Sequence, residues 1–382
     1  MKILHTSDWH LGRMIYGRSL LPDQEYFIEH VFYPILEEEK PDLVLLAGDI
    51  YDRQIAPVAA IRLFDRVLSE LHRRNIPLAV ISGNHDGPDR MALGSSMLRE
   101  SGIYFATSLE NVFQPIIFSA GESPCHLYLL PYCEPAEVRD YFQDDSIRGF
   151  TESYQAVLDK LRAGLDPAAC NILAAHCFVA GGTLSDSESP IYVGGLGEVN
   201  PAVFQGFDYV ALGHLHAPQK AGPNGRYSGS PLKYSFDEEN QQKSLTLVET
   251  AKHGCRIREL PVRPLRDMRT LAGTMEELLA LGKQSPCEDY LYLRIQEKSP
   301  VYMPSEQLRP YFPNLLGLRC DWLSASVPEK DRDLKDQLLR RKVDEEAVFY
   351  QFMEQVCGEE PTEDDKAFLE ALLRQVKSGE LD

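Results

Sequence analysis

Five stretches of the chain place aspartate, asparagine or histidine directly after an apolar run: Asp8 and His10, Gly48-Asp49, Gly83-Asn84-His85-Asp86, His176, and Gly213-His214-Leu215-His216. Carboxylate and amide oxygens combined with imidazole nitrogens are the donor set of divalent transition ions. The set is softer than the all-oxygen shell that magnesium prefers. Two carboxylates, one asparagine and four imidazoles are enough for a pair of such ions. Two cations bridged by one carboxylate and a hydroxide could activate water while stabilising charge on the attacking and leaving oxygens of a phosphate ester. Phosphoester hydrolysis is the expected reaction.

Taken singly, these stretches have plainer readings. An Asp-x-His pair is usually a solvated loop or a cap, and Gly-Asn alone is a turn. What a turn does not explain is five such stretches, each closing a strand-like run. His176 has the strongest competing reading, because a histidine at the end of an apolar run beside Cys177 could be a hydrogen-bonded core residue. His5, His30, His72, His126 and His253 lie outside any motif and read as structural or surface residues. Cys170 and Cys177 lack a matching zinc set and read as packing residues.

The elements that must bring these residues together are short, continuous apolar runs: Lys2 to Thr6, Asp42 to Ala47, Leu78 to Ser82, Asn171 to Ala175 and Tyr209 to Leu212. Runs without polar alternation are the mark of strands buried on both faces. Val58 to Arg74 carries Ile61, Phe64, Val67, Leu68 and Leu71 at helical spacing and reads as a crossover helix. If the strands are largely parallel, their carboxyl ends share one edge, where open α/β sheets bind ligands. The glycines at 48, 83 and 213 are expected to let the backbone turn sharply there.

Beyond Gly213 the pattern changes. Asn224-Gly225 marks a hairpin turn, and Lys243 to Glu249 alternates like an exposed strand, which suggests a second, more antiparallel sheet. Arg263 to Trp322 reads strand, helix, strand, helix, strand, with Thr274 and Glu277 spaced as a capping box. After a charged connector, Phe349, Phe352, Met353 and Val356 mark one apolar helical face and Phe368, Leu372 and Val376 another. The expected divisions are residues 1–262, 263–326 and 327–382.

The chain has 382 residues, with 39 basic against 58 acidic side chains and a net charge of −19, so the whole molecule repels polyanions and must hold any nucleic acid locally. The arginines 256, 258, 263, 266 and 269 form a local exception that could line a DNA path, with Arg263 and Arg266 the candidate contacts. A charged, protected strand edge explains the same residues equally well. Eight cysteines without a CxxC pair fit reduced thiols. His5 and Asp8 interrupt the first segment and no apolar run approaches ~18 residues, so the expectation is a cytoplasmic protein without membrane contact.

The series DWH, GDIYDR, GNHD, AAHC and GHLH resembles the calcineurin-like metallophosphoesterase superfamily. HTSDWHLG, RYSGSPLKYSFDE and the paired terminal helices are similar to the SbcD-type nuclease subunits of the Mre-type break-repair family. The resemblance implies an α/β fold: a two-sheet sandwich, a small α/β capping domain that binds DNA, and a helical tail. It implies two divalent ions, manganese being the expected pair, held by Asp8, His10, Asp49 and His216 on one side and by Asp49, Asn84, His176 and His214 on the other. His85 would contact the scissile phosphate as a general acid, with Asp86 orienting it. Asp52 stands where archaeal members have histidine, and Arg53 resembles the phosphate-binding arginine of the GDxxDR phosphatase motif. The implied activities are 3′ to 5′ double-strand exonuclease and single-strand endonuclease, processing DNA ends and hairpins. The implied partners are DNA, an SbcC-type coiled-coil ATPase docked on the terminal helices, and a second copy of the chain within a heterotetramer. Two other readings stay open, a small-molecule phosphodiesterase or phosphatase that uses Arg53, and a non-catalytic adaptor.

Overall fold

The computed structural model describes residues 1–119, 124–188, 197–251 and 254–321, together with Thr362 and Lys366. Most of the terminal helices expected between 327 and 382 therefore lies outside the described residues, as do His253 and Trp322.

The principal strands, in chain order, are β1 (Lys2–Thr6), β2 (Leu43–Ala47), β3 (Leu78–Ile81), β4 (Ile103–Ala106), β5 (Ile116–Phe118), β6 (Cys125–Leu130), β7 (Cys170–His176), β8 (Tyr209–Gly213), β9 (Gln219–Ala221), β10 (Gly225–Tyr227), β11 (Ser244–Ala251) and β12 (Gly254–Pro261). They form two six-stranded sheets, ordered β12-β11-β1-β2-β3-β4 and β9-β10-β8-β7-β6-β5. Within each sheet the strands that end on the candidate ligands pair in parallel: β1 with β2, β2 with β3, and β7 with β8.

Both faces of these strands are covered, which accounts for their unbroken apolar runs. Leu43 and Leu45 point between the sheets against Ile172, Ala174 and Ala211. Val44 and Leu46 point outward to Trp9, Phe64 and Val67, the last two from the helix Val58–Arg73. Leu173 and Leu212 of the second sheet meet Tyr154, Val157 and Leu161 of the helix Phe150–Arg162.

Two expectations change. The segment after Gly213 does not build a separate antiparallel sheet: the Asn224 hairpin closes one edge of the second sheet, and β11 lies between β12 and β1 in the first. Nor is β11 exposed. Leu245 and Leu247 enter the outer core and Val248 the inter-sheet core, so its alternation separates two buried faces.

Residues 268–320 form a separate three-stranded parallel sheet, β13 (Met268–Gly273), β14 (Tyr290–Ile295) and β15 (Leu315–Cys320), with helices Met275–Gln284 and Pro304–Leu308. The capping box is present: the Thr274 hydroxyl accepts from the Glu277 N–H at 3.3 Å, and Glu277 accepts from the Thr274 N–H at 2.8 Å. This unit has its own core of Leu278, Leu291, Leu293, Ile295 and Phe312. Among the described residues seven cysteines are free, and no helix is long and apolar enough to cross a membrane.

Candidate metal centre

The carboxyl ends of β1, β2 and β3 from one sheet and of β7 and β8 from the other open onto a common rim. Between each pair of candidate ligands in the first and last motifs lies a buried anchor. Trp9, between Asp8 and His10, inserts between Phe27 and Phe32 and donates its indole N–H to the Thr6 hydroxyl at 2.8 Å. Leu215, between His214 and His216, is fully buried in the core behind the second sheet. The anchor turns inward and its neighbours turn to the rim.

That arrangement requires backbone conformations that side chains seldom adopt. Asp8, His10, Asp49 and His214 have φ of 55°, 43°, 51° and 108°, and strain of this kind persists only when surrounding bonds fix it. Here the Asp8 N–H donates to the Gly48 carbonyl at 3.0 Å, the His10 N–H to the Asp49 carbonyl at 3.0 Å, and the His214 N–H to Asp8 Oδ1 at 2.9 Å. The glycines matter more for closeness than for turning. Of the three, only Gly48 has a positive φ. A Cβ on Gly48 would lie 2.2 Å from His176 Nδ1, and one on Gly213 would lie 1.8 Å from the Ala47 carbonyl oxygen.

The side chains converge. His10 Nε2 and His216 Nε2 are 3.1 Å apart. Asp49 Oδ2 is 3.6 Å from His10 Nε2 and 3.5 Å from His176 Nε2, so one carboxylate oxygen faces both halves of the cluster. Asn84 Oδ1 lies 3.0 Å from His176 Nε2 and 3.1 Å from His214 Nδ1. One donor atom each from Asp8, His10 and His216 fits within 4.8 Å, as does one each from Asp8, Asp49 and His176.

Hydrogen bonds at the outer nitrogens aim the rings. His176 Nδ1 donates to the Ala47 carbonyl at 2.9 Å, and His216 Nδ1 faces the Ser187 hydroxyl at 2.6 Å, which directs each Nε2 inward. Burial pushes the Asp8 carboxyl up to about 8. Burial, followed by the charge of His176, takes His214 down to about 3, and burial holds His10 well below its ordinary value. Burial also opposes the ionisation of Asp49, yet the imidazoles of His176 and His10 hold it well below the carboxylate range. In return Asp49, against the burial of the ring, lifts His176 to about 9.

Divalent cations fit this set. Asp8 Oδ2 is a buried carboxylate oxygen without a hydrogen-bond partner among the described residues, and it shares the rim with imidazole nitrogens and with Asp49 Oδ2. A mixed oxygen and nitrogen set of this kind suits manganese, iron or zinc. When bound, such ions supply Lewis-acid charge stabilisation and acidify water.

His85 sits at the mouth of the cluster, its ring 4.8 Å from that of His10. Its Nδ1 faces the Asp52 main-chain carbonyl at 2.9 Å and must donate to it, because a carbonyl only accepts, so Nε2 is the nitrogen left for another partner. The Asp86 carboxylate accepts the N–H groups of Ile50, Tyr51 and Gly83 at 3.2, 3.0 and 2.9 Å and so ties two ligand loops together. The Asp52 carboxylate is paired with Arg13 at 3.0 Å.

Of the arginines expected to contact substrate, Arg53 and Arg263 are exposed. Arg266 spends its charge on Asp23 at 2.9 Å, beside the Tyr290 hydroxyl that also donates to Asp23 at 2.7 Å, and so fastens the small sheet unit to the sandwich. Sequence reading missed Arg13, Ser187, Glu188, Glu238 and Lys243. The Glu188 carboxylate accepts the His216 main-chain N–H, and Glu238 accepts the Ser187 hydroxyl.

Residues 1–218 match the model of the calcineurin-like phosphoesterase family. Residues 264–356 match a second model, described as the type 5 capsule protein repressor C-terminal domain. The chain is 35% identical over 323 residues to the SbcD component of the SbcCD nuclease of Staphylococcus epidermidis, an alignment covering 83% of this chain and 85% of the relative. A phosphoesterase match over the very strands whose ends converge, and a likeness that runs on through the small sheet unit, place the chain in the calcineurin-like phosphoesterases and, within them, in the SbcD nuclease family.

Proposed function

We propose that the chain is a DNA nuclease that hydrolyses phosphodiesters with two divalent cations, manganese being the expected pair. Asp8, His10, Asp49 and His216 would hold one ion and Asp49, Asn84, His176 and His214 the other, with Asp49 as the bridge. The observation that supports this most is Asp49 Oδ2 facing His10 Nε2 and His176 Nε2 at 3.6 and 3.5 Å, from opposite halves of the cluster. His85, its Nδ1 fixed on Asp52, presents Nε2 to a substrate phosphate and gives a proton to the leaving oxygen as general acid. Asp86 keeps the Asp49 and Asn84 loops in register.

As the resemblance to SbcD-type subunits implies, the chain works beside an SbcC-type coiled-coil ATPase, docked through helices within residues 327–382, on DNA ends and hairpins. Exonucleolytic 3′ to 5′ and single-strand endonucleolytic cleavage belong to this proposal. The division at 1–262, 263–326 and 327–382 assigns the small sheet unit as the cap over the DNA path. The net charge of −19 favours a partner that supplies DNA affinity.

The test compares an end-labelled duplex with a chromogenic phosphodiester, in manganese and in EDTA. Manganese-dependent release of nucleotides from the duplex is expected. Cleavage of the small ester alone would overturn the nuclease reading. Deleting Val343 to Asp382 should abolish copurification with the coiled-coil ATPase while leaving manganese binding intact.

A further inference from the structure

His216 is held from three sides by one buried cluster. Glu188 accepts its main-chain N–H, Ser187 Oγ lies 2.6 Å from its Nδ1, and its carbonyl accepts from Lys243 Nζ at 2.8 Å. Ser187 passes its own proton to Glu238 Oε1, and Lys243 closes the ring on Glu238 Oε2. The ammonium also reaches Ser230 Oγ at 3.0 Å and Gln241 Oε1 at 2.8 Å. The Lys243 and Glu238 side chains are 4% and 0% exposed, so they act on a substrate only through the imidazole they hold.

Glu238 ends a short helical turn, Phe236–Glu238, that is also a seat for the small sheet unit. The Phe236 ring is 5.5 Å from that of Tyr292 on β14. The next residue, Glu239, accepts the Thr270 N–H at 2.7 Å, and Lys233 pairs with Asp267 at 2.8 Å. Beside these contacts lies a cavity of about 460 Å³, lined by Leu232, Lys233, Lys243, Arg266 and Tyr290 among others. Part of the junction is therefore a ring of discrete contacts around open space, and a shift of the small unit would pull on the turn that carries Glu238.

We propose that the Glu238–Lys243 pair is the positioning device of His216, and that it couples the seat of the small sheet unit to the cation affinity of the site formed by Asp8, His10, Asp49 and His216. The inference rests on the two-cation reading above. Its physical basis is that groups behind a ligating histidine fix its tautomer and orientation, and their loss typically costs about 10–100-fold in metal affinity.

The experiment titrates manganese alone into the full chain by calorimetry. Wild type is measured first, and failure to bind two ions would overturn the two-cation reading and this inference with it. Asn84→Ala then removes the second site and leaves the His216 site, while His10→Ala does the converse. In the Asn84→Ala background, Glu238→Gln should weaken binding about 10-fold, and Tyr292→Ala about 3-fold, the size of effect expected for a residue acting through an intermediary. In the His10→Ala background neither should change the affinity. Should Glu238→Gln fail to fold, Ser187→Ala breaks the same relay at a half-buried position. Unchanged affinity on breaking the relay in the Asn84→Ala background, or equal weakening in both backgrounds, overturns the positioning role. Tyr292→Ala without effect overturns the coupling.

Discussion

Gly83 and Asp49 approach so closely that a Cβ on the glycine would sit 2.1 Å from Asp49 Oδ1 and 2.4 Å from the Asp49 main-chain nitrogen. Neither atom can retreat. Oδ1 accepts the His85 N–H at 2.9 Å, and the strained Asp49 backbone is tied to His10. Gly83→Ala should therefore displace a carboxylate that faces both halves of the cluster, lowering stability by about 1–3 kcal/mol as overpacking does and abolishing manganese uptake. Gly164→Ala is the control, since among the described residues nothing lies nearer to its Cβ than the Leu161 carbonyl at 3.7 Å. Thermal unfolding and bound-metal analysis of the two variants check the contrast.

His85 and Asp49 separate chemistry from metal holding. His85→Ala should slow cleavage about 10²–10⁴-fold, the range for a lost general acid, with both manganese ions retained. Asp49→Ala should lose both ions. Equal metal loss in the two variants would remove the distinction between their roles. Asp86→Asn is informative beside them. If the carboxylate splints loops, as its three N–H partners indicate, this change should reduce metal affinity as well as rate.

The homodimer expected from the resemblance needs an apolar surface, and one flanks the His85 loop. Leu93, Met97, Ile55 and Val58 are 84%, 78%, 71% and 63% exposed. Leu93 lines a groove of about 380 Å³ together with Phe64, Leu68, Met91, Leu98 and Phe105, and exposed apolar surface of this kind is characteristic of interaction sites. A Leu93→Asp and Met97→Asp double variant should shift the chain from dimer to monomer in light scattering, each anchor costing about 2 kcal/mol of association. Dimerisation unchanged by the pair would place the interface elsewhere.

Five strands could be read from the sequence because both faces of each are buried, leaving runs that need no periodicity to recognise. The ends of β4, β5 and β6 carry no ligand, and nothing in the sequence drew attention to them. Adjacency in sequence does not reveal what each side chain of this loop meets: His85 reaches the Asp52 carbonyl and Asp86 the amides of Ile50, Tyr51 and Gly83. Glu238 and Lys243 were beyond reach for another reason. A glutamate in a turn and a lysine before a strand look solvated, and only the tertiary fold brings them together around His216 at 0% and 4% exposure. The RYSGSPLKYSFDE stretch carried the family resemblance without disclosing that one of its residues stands behind a ligand.

His5 makes stability depend on acidity independently of the metal centre. It is fully buried on β1, its Nδ1 lies 2.9 Å from the Tyr209 hydroxyl, and its Nε2 has no partner among the described residues. Burial, followed by the charge of Arg226, holds its pKa down at about 3, against about 6.5 in an unfolded chain. Between those values the unfolded chain takes a proton that the fold refuses. The stability contributed by neutral His5 is thus complete above pH 6.5 and is lost as the pH falls toward 3, at up to about 1.4 kcal/mol per unit. From pH 7 to 5.5 the loss is about 1 kcal/mol. His5→Asn keeps a polar partner for Tyr209 but cannot titrate. Its urea midpoint should be lower than wild type at pH 7 and should fall less on acidification, the difference between the two slopes giving the His5 contribution. Parallel curves for the two proteins in EDTA would show that the burial of this ring carries no such linkage.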